Sequence, residues 1–260
     1  MLLLISPAKK LDFDDSYPDI GMTSPQLMES AEEIAAIMSS QSAKYIKQIM
    51  RLSDNLAELN YRRYQNWSPD TGPEHAKQAI LAFRGDVYRG MGASAFEQKD
   101  FDFAQKHLRI LSGLYGVLRP LDMIQAHRLE MGTKLKNPAG KDLYAFWQNQ
   151  ITPILEKDTK AAGNILINLA SNEYFKAVNR EKLNTPIITP IFKDYKNGAY
   201  KIISLYAKQA RGMMCSFSIR NQLHAPEQLK DFSEAGYCFC KAESDASHYT
   251  FLRKKDLSNP

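Results

Sequence analysis

The sequence predicts a mixed α/β fold, built as a single domain with a central mixed sheet covered by helices. Segments of helical periodicity and short apolar segments rich in Ile, Tyr and Phe occur along all 260 residues. The sequence contains no repeat, low-complexity tract or Gly/Ser-rich linker that would divide it. Apolar residues make up 44% and charged residues 24%, a balance typical of globular proteins that excludes disordered and fibrous classes.

The first half of the chain is predicted to be one strand followed by helices. Met1–Ile5 is a short apolar run stopped by serine and proline, which indicates a buried strand. Each expected helix opens with a capping residue or a proline. The first starts at Ser24-Pro25 and has an apolar stripe as far as Met38, the second runs from Ser53 through about Gln65, and the third opens at Gly72-Pro73.

The second half is predicted to contain most of the sheet, because its apolar segments are short and rich in β-formers. The expected strands are Asn164–Ala170, Ile187–Phe192, Tyr200–Ser204, Gly236–Lys241 and His248–Arg253. The expected helices between them are Asp142–Leu155 and Leu205–Leu223. The order of the strands does not follow from this pattern, and no dinucleotide-binding or phosphate-binding glycine motif follows a strand.

Cysteine usage and hydropathy point to a cytoplasmic protein with no membrane association. The three cysteines form no CxxC pair, which suits a reducing compartment. No apolar run approaches the roughly 20 residues of a membrane span, and the N-terminal residues do not follow the order of a signal peptide. The histidines show no spacing typical of metal ligands, so we expect no metal site and no cofactor.

Positive charge is concentrated in two stretches. Gln105–Lys141 contains seven cations and two carboxylates, an excess equal to the +5 of the whole chain. Phe192–Arg211 contains five cations and one carboxylate. Clustered cations are typical of proteins that bind a polyanion, which favours nucleic acid as the partner, and contacts to its phosphates would be independent of base sequence. A solvated surface that is locally basic is the alternative.

A segment with two closely spaced glycines is the first candidate for phosphate contact. Gly113 and Gly116 lie within Leu108–Pro120, framed by leucines and flanked by Arg109 and Arg119. A glycine turn between helices lets the backbone approach a phosphate, as in a helix-hairpin-helix element. The alternative is a glycine turn between packed elements.

The predicted helix Leu205–Leu223 is the second candidate. Its core stripe is expected to comprise Tyr206, Ala210, Met213 and Phe217. Lys208, Arg211 and Cys215 are expected on the opposite side, where the two cations would follow a nucleic-acid backbone. Two interpretations of the thiol stand: one activated by the arginine and reactive with peroxide, or an inert one.

The loop after the first strand is the third candidate, because α/β proteins commonly build sites at strand ends. Lys9 is placed to meet a phosphate, and Asp12 to act as a base or to orient a lysine. The alternative is a surface loop held by salt bridges. Further along the chain, Asp86 and Glu173 would form a carboxylate pair for acid–base chemistry. Alternatively, Asp86 would cap a helix that starts at Val87, and Ser171 would cap the helix that contains Glu173.

These segments, considered as a set, resemble the YaaA peroxide-stress protein family of bacteria. They occur in the family's order and cover nearly the whole chain. They are SPAKKLD at Ser6–Asp12, AFRGDVY at Ala82–Tyr88, LSGLYGVLRPLD at Leu111–Asp122, RLEMG at Arg128–Gly132, LYAFW at Leu143–Trp147, NLASNEYF at Asn168–Phe175 and AKQARGMM at Ala207–Met214. This chain departs from the family pattern at His127, at Cys215-Ser216, and at Cys238 and Cys240.

The resemblance implies a cytosolic, peroxide-induced protein that limits damage from unincorporated iron. It also implies binding of DNA, double-stranded or structured and without regard to base sequence, through a basic cleft and a helix-hairpin-helix element. The phosphate contacts expected on this basis are Lys9, Arg84, Arg109, Gly113, Gly116, Arg119, Arg128, Lys208 and Arg211. The rival hypothesis is an enzyme acting on nucleic acid or a nucleotide. Its candidate acid–base residues are Asp12, Asp86, Glu130 and Glu173. An iron-sequestering protein lacks the ligands in the sequence.

Overall fold

The apolar and amphipathic segments form strands and helices in the computed structural model, which describes residues 1–13, 19–70 and 75–254. The strands are Leu2–Ile5 (β1), Lys10–Leu11 (β2), Lys77–Gln78 (β3), Phe83–Arg84 (β4), Leu108–Ser112 (β5), Gly116–Leu118 (β6), Met123–Ile124 (β7), Leu166–Asn168 (β8), Ile187–Lys196 (β9), Ala199–Lys201 (β10), Cys238–Phe239 (β11) and His248–Arg253 (β12).

The α-helices are Met28–Ser39 (α1), Ala43–Met50 (α2), Asp54–Gln65 (α3), Ala79–Ala82 (α4), Asp86–Met91 (α5), Gln98–His107 (α6), Leu143–Ala161 (α7), Asn172–Phe175 (α8) and Ser204–Arg220 (α9). Short 3-10 turns occur at Ala93–Ala95, Arg180–Lys182, Pro226–Asp231, Glu234–Gly236 and Lys241–Glu243.

Strand β1 lies in the middle of an eight-stranded mixed sheet, and all four of its side chains are buried. It pairs in parallel with β5 on one side and with β8 on the other. Strand β9 continues the parallel arrangement, pairing with β8 and with β12. The antiparallel strands β6, β10 and β11 pair with β5, β9 and β12. Strands buried on this scale read as continuous apolar runs, which is why β1 is recognisable in the sequence.

The chain changes direction across the sheet between β1 and β8. From β1 the connection leads to β5 on one side, whereas from β8 it leads to β9 on the other side. The loops that leave the carboxyl ends of these two neighbouring strands therefore diverge and leave a crevice between them. In open α/β sheets such a topological switch point is where ligands bind.

Helices α5 and α9 cross in direct backbone contact because glycines stand at the crossing. A Cβ atom on Gly90 would lie 2.1 Å from the carbonyl oxygen of Gln209. A Cβ on Gly212 would lie 1.8 Å from the carbonyl oxygen of Val87. No other residue fits at either position without separating the helices. This contact fixes α9 close to the strand ends.

Several predicted elements are confirmed. Strand β12 has both of the predicted ends. The hydroxyl of Ser53 accepts the Leu56 N–H and caps α3 as expected. The helix expected from Asp142 exists, is capped by that aspartate and extends to Ala161.

Other boundaries were predicted wrongly. Helix α1 begins at Met28, not at Pro25, and α2 was not predicted as a separate helix. Strand β10 ends at Lys201, and Ser204 begins α9 where a strand end was expected. The helix start expected at Gly72-Pro73 lies outside the described residues.

The helix-hairpin-helix element is not found at the glycine segment, because the turn joins two strands. Leu111 pairs with Val117 and Ser112 with Gly116 in the antiparallel β5–β6 hairpin. A Cβ on Gly113 would lie 2.2 Å from the Leu129 carbonyl oxygen. Gly116 has a φ of 69° and would clash with the ring of Trp147. Both glycines allow the protein to pack against itself, as the alternative interpretation held.

Helices that could cross a membrane were sought among the described residues, and none is long and apolar enough.

Candidate functional site

A cleft of about 640 Å³ opens at the switch point between β1 and β8. Residues 6–10 follow β1 and form one wall, and residues 171–174 follow β8 and form another. The remaining wall comes from the start of α5 and from Lys208 and Arg211 of α9. The α5–α9 crossing therefore brings the second basic stretch of the sequence to the ends of the central strands.

The base of the cleft is held by hydroxyl groups. The Oγ atom of Ser6 accepts the Ser171 N–H at 2.9 Å, and the two serine hydroxyls are 3.3 Å apart. The hydroxyl of Tyr88 donates to the Ser6 carbonyl at 3.1 Å. Ser171 occupies the N-cap position of α8, but its side chain makes no capping bond. These contacts join β1, β8 and α5 at one point.

Cations outnumber carboxylates around the cleft. Six basic side chains line it and only two acidic ones. The cations are Lys9, Lys10, Arg84, Arg89, Lys208 and Arg211, and the carboxylates are Asp86 and Glu173. Field lines are concentrated in a cleft lined mainly by one sign of charge, so this arrangement attracts anions.

Arg211 differs from the other cations in being half-buried without a counter-ion. No hydrogen bond or ion pair to its guanidinium occurs within the part of the chain that the structure describes. Burial lowers the pKa of Arg211, and no carboxylate opposes this shift. Lys208 lies one turn earlier on α9 and is exposed.

The other cleft arginines and Lys9 have carboxylate partners. Arg84 donates to Asp12 with nitrogen–oxygen distances of 2.7 and 2.8 Å. Arg89 lies 3.7 Å from Asp86, and Lys9 lies 3.3 Å from Glu130. Such partly exposed pairs contribute about 0–1 kcal/mol, so an incoming anion can compete for these cations.

A narrow extension of about 10 Å³, room for a single water molecule, adjoins the cleft at Lys9 and Tyr174 and is lined by Glu130. One of its carboxylate oxygens, Oε1, accepts from Arg128 at 2.9 and 3.1 Å and also faces Lys9. The other oxygen, Oε2, is buried and has no hydrogen-bond partner among the described residues. Tyr174 lines both the extension and the cleft, and burial raises the pKa of its hydroxyl, with Glu173 and Glu130 adding to the shift.

Of the four candidate acid–base residues, Asp86 and Glu173 line the cleft, Glu130 lines its narrow extension, and Asp12 lies outside both. Asp86 is the first residue of α5, which follows Gly85 at the N-cap position. Glu173 accepts the Gly132 N–H at 3.2 Å. Asp12 does not line the cleft and is engaged by Arg84. Salt bridges hold the first loop, as its alternative interpretation proposed.

Arg109 and Arg119, two of the predicted phosphate contacts, are committed to internal structure. Arg109 is 6% exposed and donates to Asp158 at 2.7 Å. Arg119 holds the buried carboxylate of Asp122 with nitrogen–oxygen distances of 2.8 and 3.0 Å. Since these cations neutralise buried carboxylates, the geometry does not offer them to a phosphate. Gly113 and Gly116 are buried in the β5–β6 turn, away from the cleft, for the reason given above.

Helix α9 is packed on two faces, whereas the predicted apolar stripe implied only one packed face. Cys215 was expected on the outer face and is fully buried, because α5 covers that side of the helix. Burial raises the pKa of its thiol well above the ordinary value. A thiol that stays protonated is a poor nucleophile toward peroxide, so the structure favours the inert interpretation. Tyr206, Met213 and Phe217 are half-buried.

The cleft includes Ser6, Tyr88, Arg89 and Ser171, which were not predicted as site residues from the sequence. Ser6 and Ser171 each follow a buried strand within three residues, and that shared pattern is the signal that would have found them. Tyr88 and Arg89 lie in a glycine-containing segment, residues 82–90, that has no recognised catalytic or binding motif, so no sequence signal indicates them. Among the described residues, no group of three or more His, Cys, Asp or Glu is arranged to hold a metal ion.

Comparison with known proteins places the whole architecture in a family. The family model described as "Peroxide stress protein YaaA" matches residues 1–243, a range that includes every residue of the cleft. The chain belongs to this family. It is also 51% identical over 256 residues to a UPF0246 protein of Teredinibacter turnerae. This match covers 98% of this chain and the full length of that relative. Membership of the YaaA family supports a role in peroxide stress.

Proposed function

We propose that this protein binds DNA in the cytoplasm during peroxide stress, by holding backbone phosphates in the switch-point cleft, and so limits damage linked to unincorporated iron. The observation that carries the proposal is Arg211, a half-buried arginine without a counter-ion, facing a cleft whose cations outnumber its carboxylates.

A phosphate is the ligand that best matches this arginine. Taking a charge out of water is unfavourable unless an opposite charge or hydrogen bonds compensate for it. The planar guanidinium offers parallel N–H groups that match two oxygens of a phosphate. Lys208, one turn away, adds a second cation on the same side of the cleft. The site is therefore prepared for an anion that the chain itself does not supply.

The distribution of the remaining cations favours a chain of phosphates over a single anion. Lys9, Lys10, Arg84 and Arg89 surround the mouth of the cleft. Nucleic acid offers phosphates at regular spacing, and contacts to them carry no base sequence information. The proposed contact set consists of these residues with Lys208 and Arg211. Arg128 was also predicted as a contact, but it is bound to Glu130 in an extension too small for a phosphate.

A salt titration of binding to a labelled DNA hairpin tests this proposal. The variant is Lys208→Ala/Arg211→Ala, and the matched control is Lys47→Ala/Arg62→Ala, which removes two exposed cations of α2 and α3. We expect wild-type affinity to fall steeply with salt, and the cleft variant to lose about one unit of salt slope per contact. The control should keep the wild-type slope.

Equal slopes for the cleft variant and the control would show that the DNA contacts lie elsewhere. Absence of binding by the wild type at physiological salt would refute the DNA proposal. The cleft would then serve a smaller phosphate compound.

A second candidate function is an enzyme acting on nucleic acid or a nucleotide, and one observation favours it. The Oε2 atom of Glu130 is buried without a hydrogen-bond partner among the described residues and lies beside the cations of the narrow extension. A carboxylate so placed is able to accept a proton from a bound substrate.

The assay for this candidate is turnover of oxidatively damaged DNA and of nucleoside phosphates. It compares the wild type with Glu130→Gln, Asp86→Asn and Glu173→Gln. Turnover that is abolished by one of these nearly isosteric changes supports an acid–base role. Turnover that survives all three, or no turnover by the wild type, rejects the assignment.

A further inference from the structure

The β9–β10 hairpin projects a pair of tyrosines at the surface. Its two-residue turn is Asn197-Gly198, with φ values of 54° and 80°, the conformation that favours tight antiparallel hairpins. Tyr195 and Tyr200 are directly paired across the strands. Side chains of paired residues lie on the same face, and the two rings meet edge to face with centroids 5.2 Å apart.

The exposed aromatic surface continues toward the cleft. Tyr200 is 36% exposed, and Ile202 and Leu205, which follow it, are 58% and 47% exposed. Leu205 lies one helical turn before Lys208, which lines the cleft. Large apolar groups exposed in succession are a feature of binding surfaces. This hairpin surface, defined as Tyr195, Tyr200, Ile202 and Leu205, therefore leads directly to the proposed phosphate site.

The charges around the hairpin surface are positive. Lys254 lies 5.5 Å from the centroid of the Tyr195 ring. Lys196 and Lys201 are also exposed and form no ion pair within the described residues, but strand alternation places them on the face of the hairpin opposite the two tyrosines. Lys193, the remaining lysine of β9, is paired with Glu243.

The one carboxylate of the hairpin strands does not reduce this charge. Asp194 is 1% exposed and points to the opposite face of β9, where Arg253 and Tyr237 bind it. The tyrosine face therefore combines the two aromatic rings with Lys254 and with the Lys193–Glu243 pair.

We propose that the hairpin surface binds single-stranded nucleic acid by stacking bases on Tyr200, while Lys254 and the cleft cations hold the adjoining phosphates. The inference rests on the proposed function, because it names the form of nucleic acid that the cleft receives. Aromatic rings beside a basic track bind unpaired bases without sequence preference. Bases within a duplex are stacked on each other and cannot use such a ring, so the surface distinguishes single strands from duplexes.

The first test compares Tyr200→Leu with Tyr200→Phe, using a fluorescent thymidine oligomer and a duplex of equal length. Leucine keeps an apolar side chain but removes the aromatic face. We expect Tyr200→Leu to weaken binding of the single strand about tenfold and to leave duplex binding within about twofold, and Tyr200→Phe to retain single-strand binding. The phenylalanine variant is the matched control for loss of the hydroxyl.

The second test uses Tyr200→Trp as a spectroscopic probe of stacking. Trp147 is buried and Trp67 is half-buried, so the signal of the added indole is obtained as the difference from wild type. Quenching of that difference by the thymidine oligomer, and not by the duplex, supports base stacking. An unquenched difference signal at saturating oligomer overturns it.

The outcomes separate the two proposals. DNA binding that depends on Lys208 and Arg211 but is unchanged in Tyr200→Leu overturns the stacking proposal and leaves the cleft proposal intact. No binding of either DNA by the wild type overturns both. Self-association in sedimentation that Tyr200→Leu abolishes, with no effect on single-strand binding, would assign the surface to a second copy of the chain and overturn stacking.

Discussion

Two regions of this chain are both rich in positive charge, but their arginines have opposite physical roles. In the Gln105–Lys141 stretch, Arg109 is bound to Asp158 of α7, and Arg119 is bound to Asp122. On α9, Arg211 is half-buried and has no acidic partner among the described residues. The net charge of the first region equals the net charge of the whole chain, yet Arg109 and Arg119 bind carboxylates of the protein itself.

The difference teaches that charge density along a sequence is a poor measure of charge available to a ligand. Asp158 lies 49 residues beyond Arg109, so no local window contains the pair. Arg211 follows Lys208 with no acid nearby in the sequence, and the fold adds none. The availability of a cation is decided by which carboxylates the tertiary structure brings to it.

The largest expected effect is on stability, and it sharpens this comparison directly. Arg109→Met leaves Asp158 without its partner in a mostly buried position, so the free energy of unfolding should fall by about 3 kcal/mol. Arg211→Met removes an unpaired, half-buried charge and should leave stability unchanged or raise it. Urea unfolding measures both, with Arg62→Met as the exposed control. The comparison fails if Arg211→Met is the more destabilising of the two.

The second effect concerns pH in the first region. Burial lowers the pKa of His127 to about 4, and its Nδ1 lies 2.8 Å from the Gln125 carbonyl oxygen. In the unfolded chain the pKa is near 6.5, so below that pH the unfolded state binds a proton that the folded state does not. The free energy of unfolding should therefore fall by about 2 kcal/mol between about pH 7 and pH 5.

The His127→Phe variant isolates this effect, because phenylalanine cannot titrate. It should lose most of the pH dependence in this window, whatever its stability at neutral pH. His107 contributes a slope common to both proteins, since burial lowers its pKa as well. Parallel pH profiles of wild type and variant would show that His127 takes up protons in the folded state.

The smallest effect is chemical and concerns α9. Cys215 stands one turn after Arg211, but its thiol is fully buried and its pKa is raised, whereas Cys238 is exposed. In the native protein iodoacetamide and hydrogen peroxide should modify Cys238 and spare Cys215, as peptide mass spectrometry would show. Modification of Cys215 at the rate of Cys238 would mean that α9 separates from α5 in solution.

Local signals predicted much of the fold. Strand β12 and helix α3 follow from an apolar run and a serine cap, both of which act within a few residues. The turn at Gly113 and Gly116 was predicted to join helices. These glycines indicate a turn, but they do not show whether helices or strands flank it. The second half's strand order depends on parallel pairing between distant segments, which no local pattern contains.

The candidate site was predicted in part for the same reason. Lys9, Arg84, Lys208 and Arg211 were named from separate segments, and the structure brings them to one cleft. The positions of Ser6 and Ser171 after buried strands can be read from the sequence, but their contact with each other depends on β1 lying beside β8, which no local pattern contains. Cys215 was predicted to face outward because a single apolar stripe implies one packed face of the helix. The glycines of α5 and α9 let these helices pack closely, which creates a second packed face that contains Cys215.

The central position of β1 has a consequence for the timing of folding during synthesis. Leu2–Ile5 has its hydrogen-bonding partners at Leu108–Ser112 and Leu166–Asn168, more than 100 and 160 residues later. At ribosomal rates of about 5–20 residues per second, this fully apolar strand waits on the order of ten seconds before both neighbours exist. Non-local pairing of this kind also slows refolding from denaturant. Until β8 emerges, β1 therefore has an unpaired apolar edge, the kind of strand that is prone to pair with other chains.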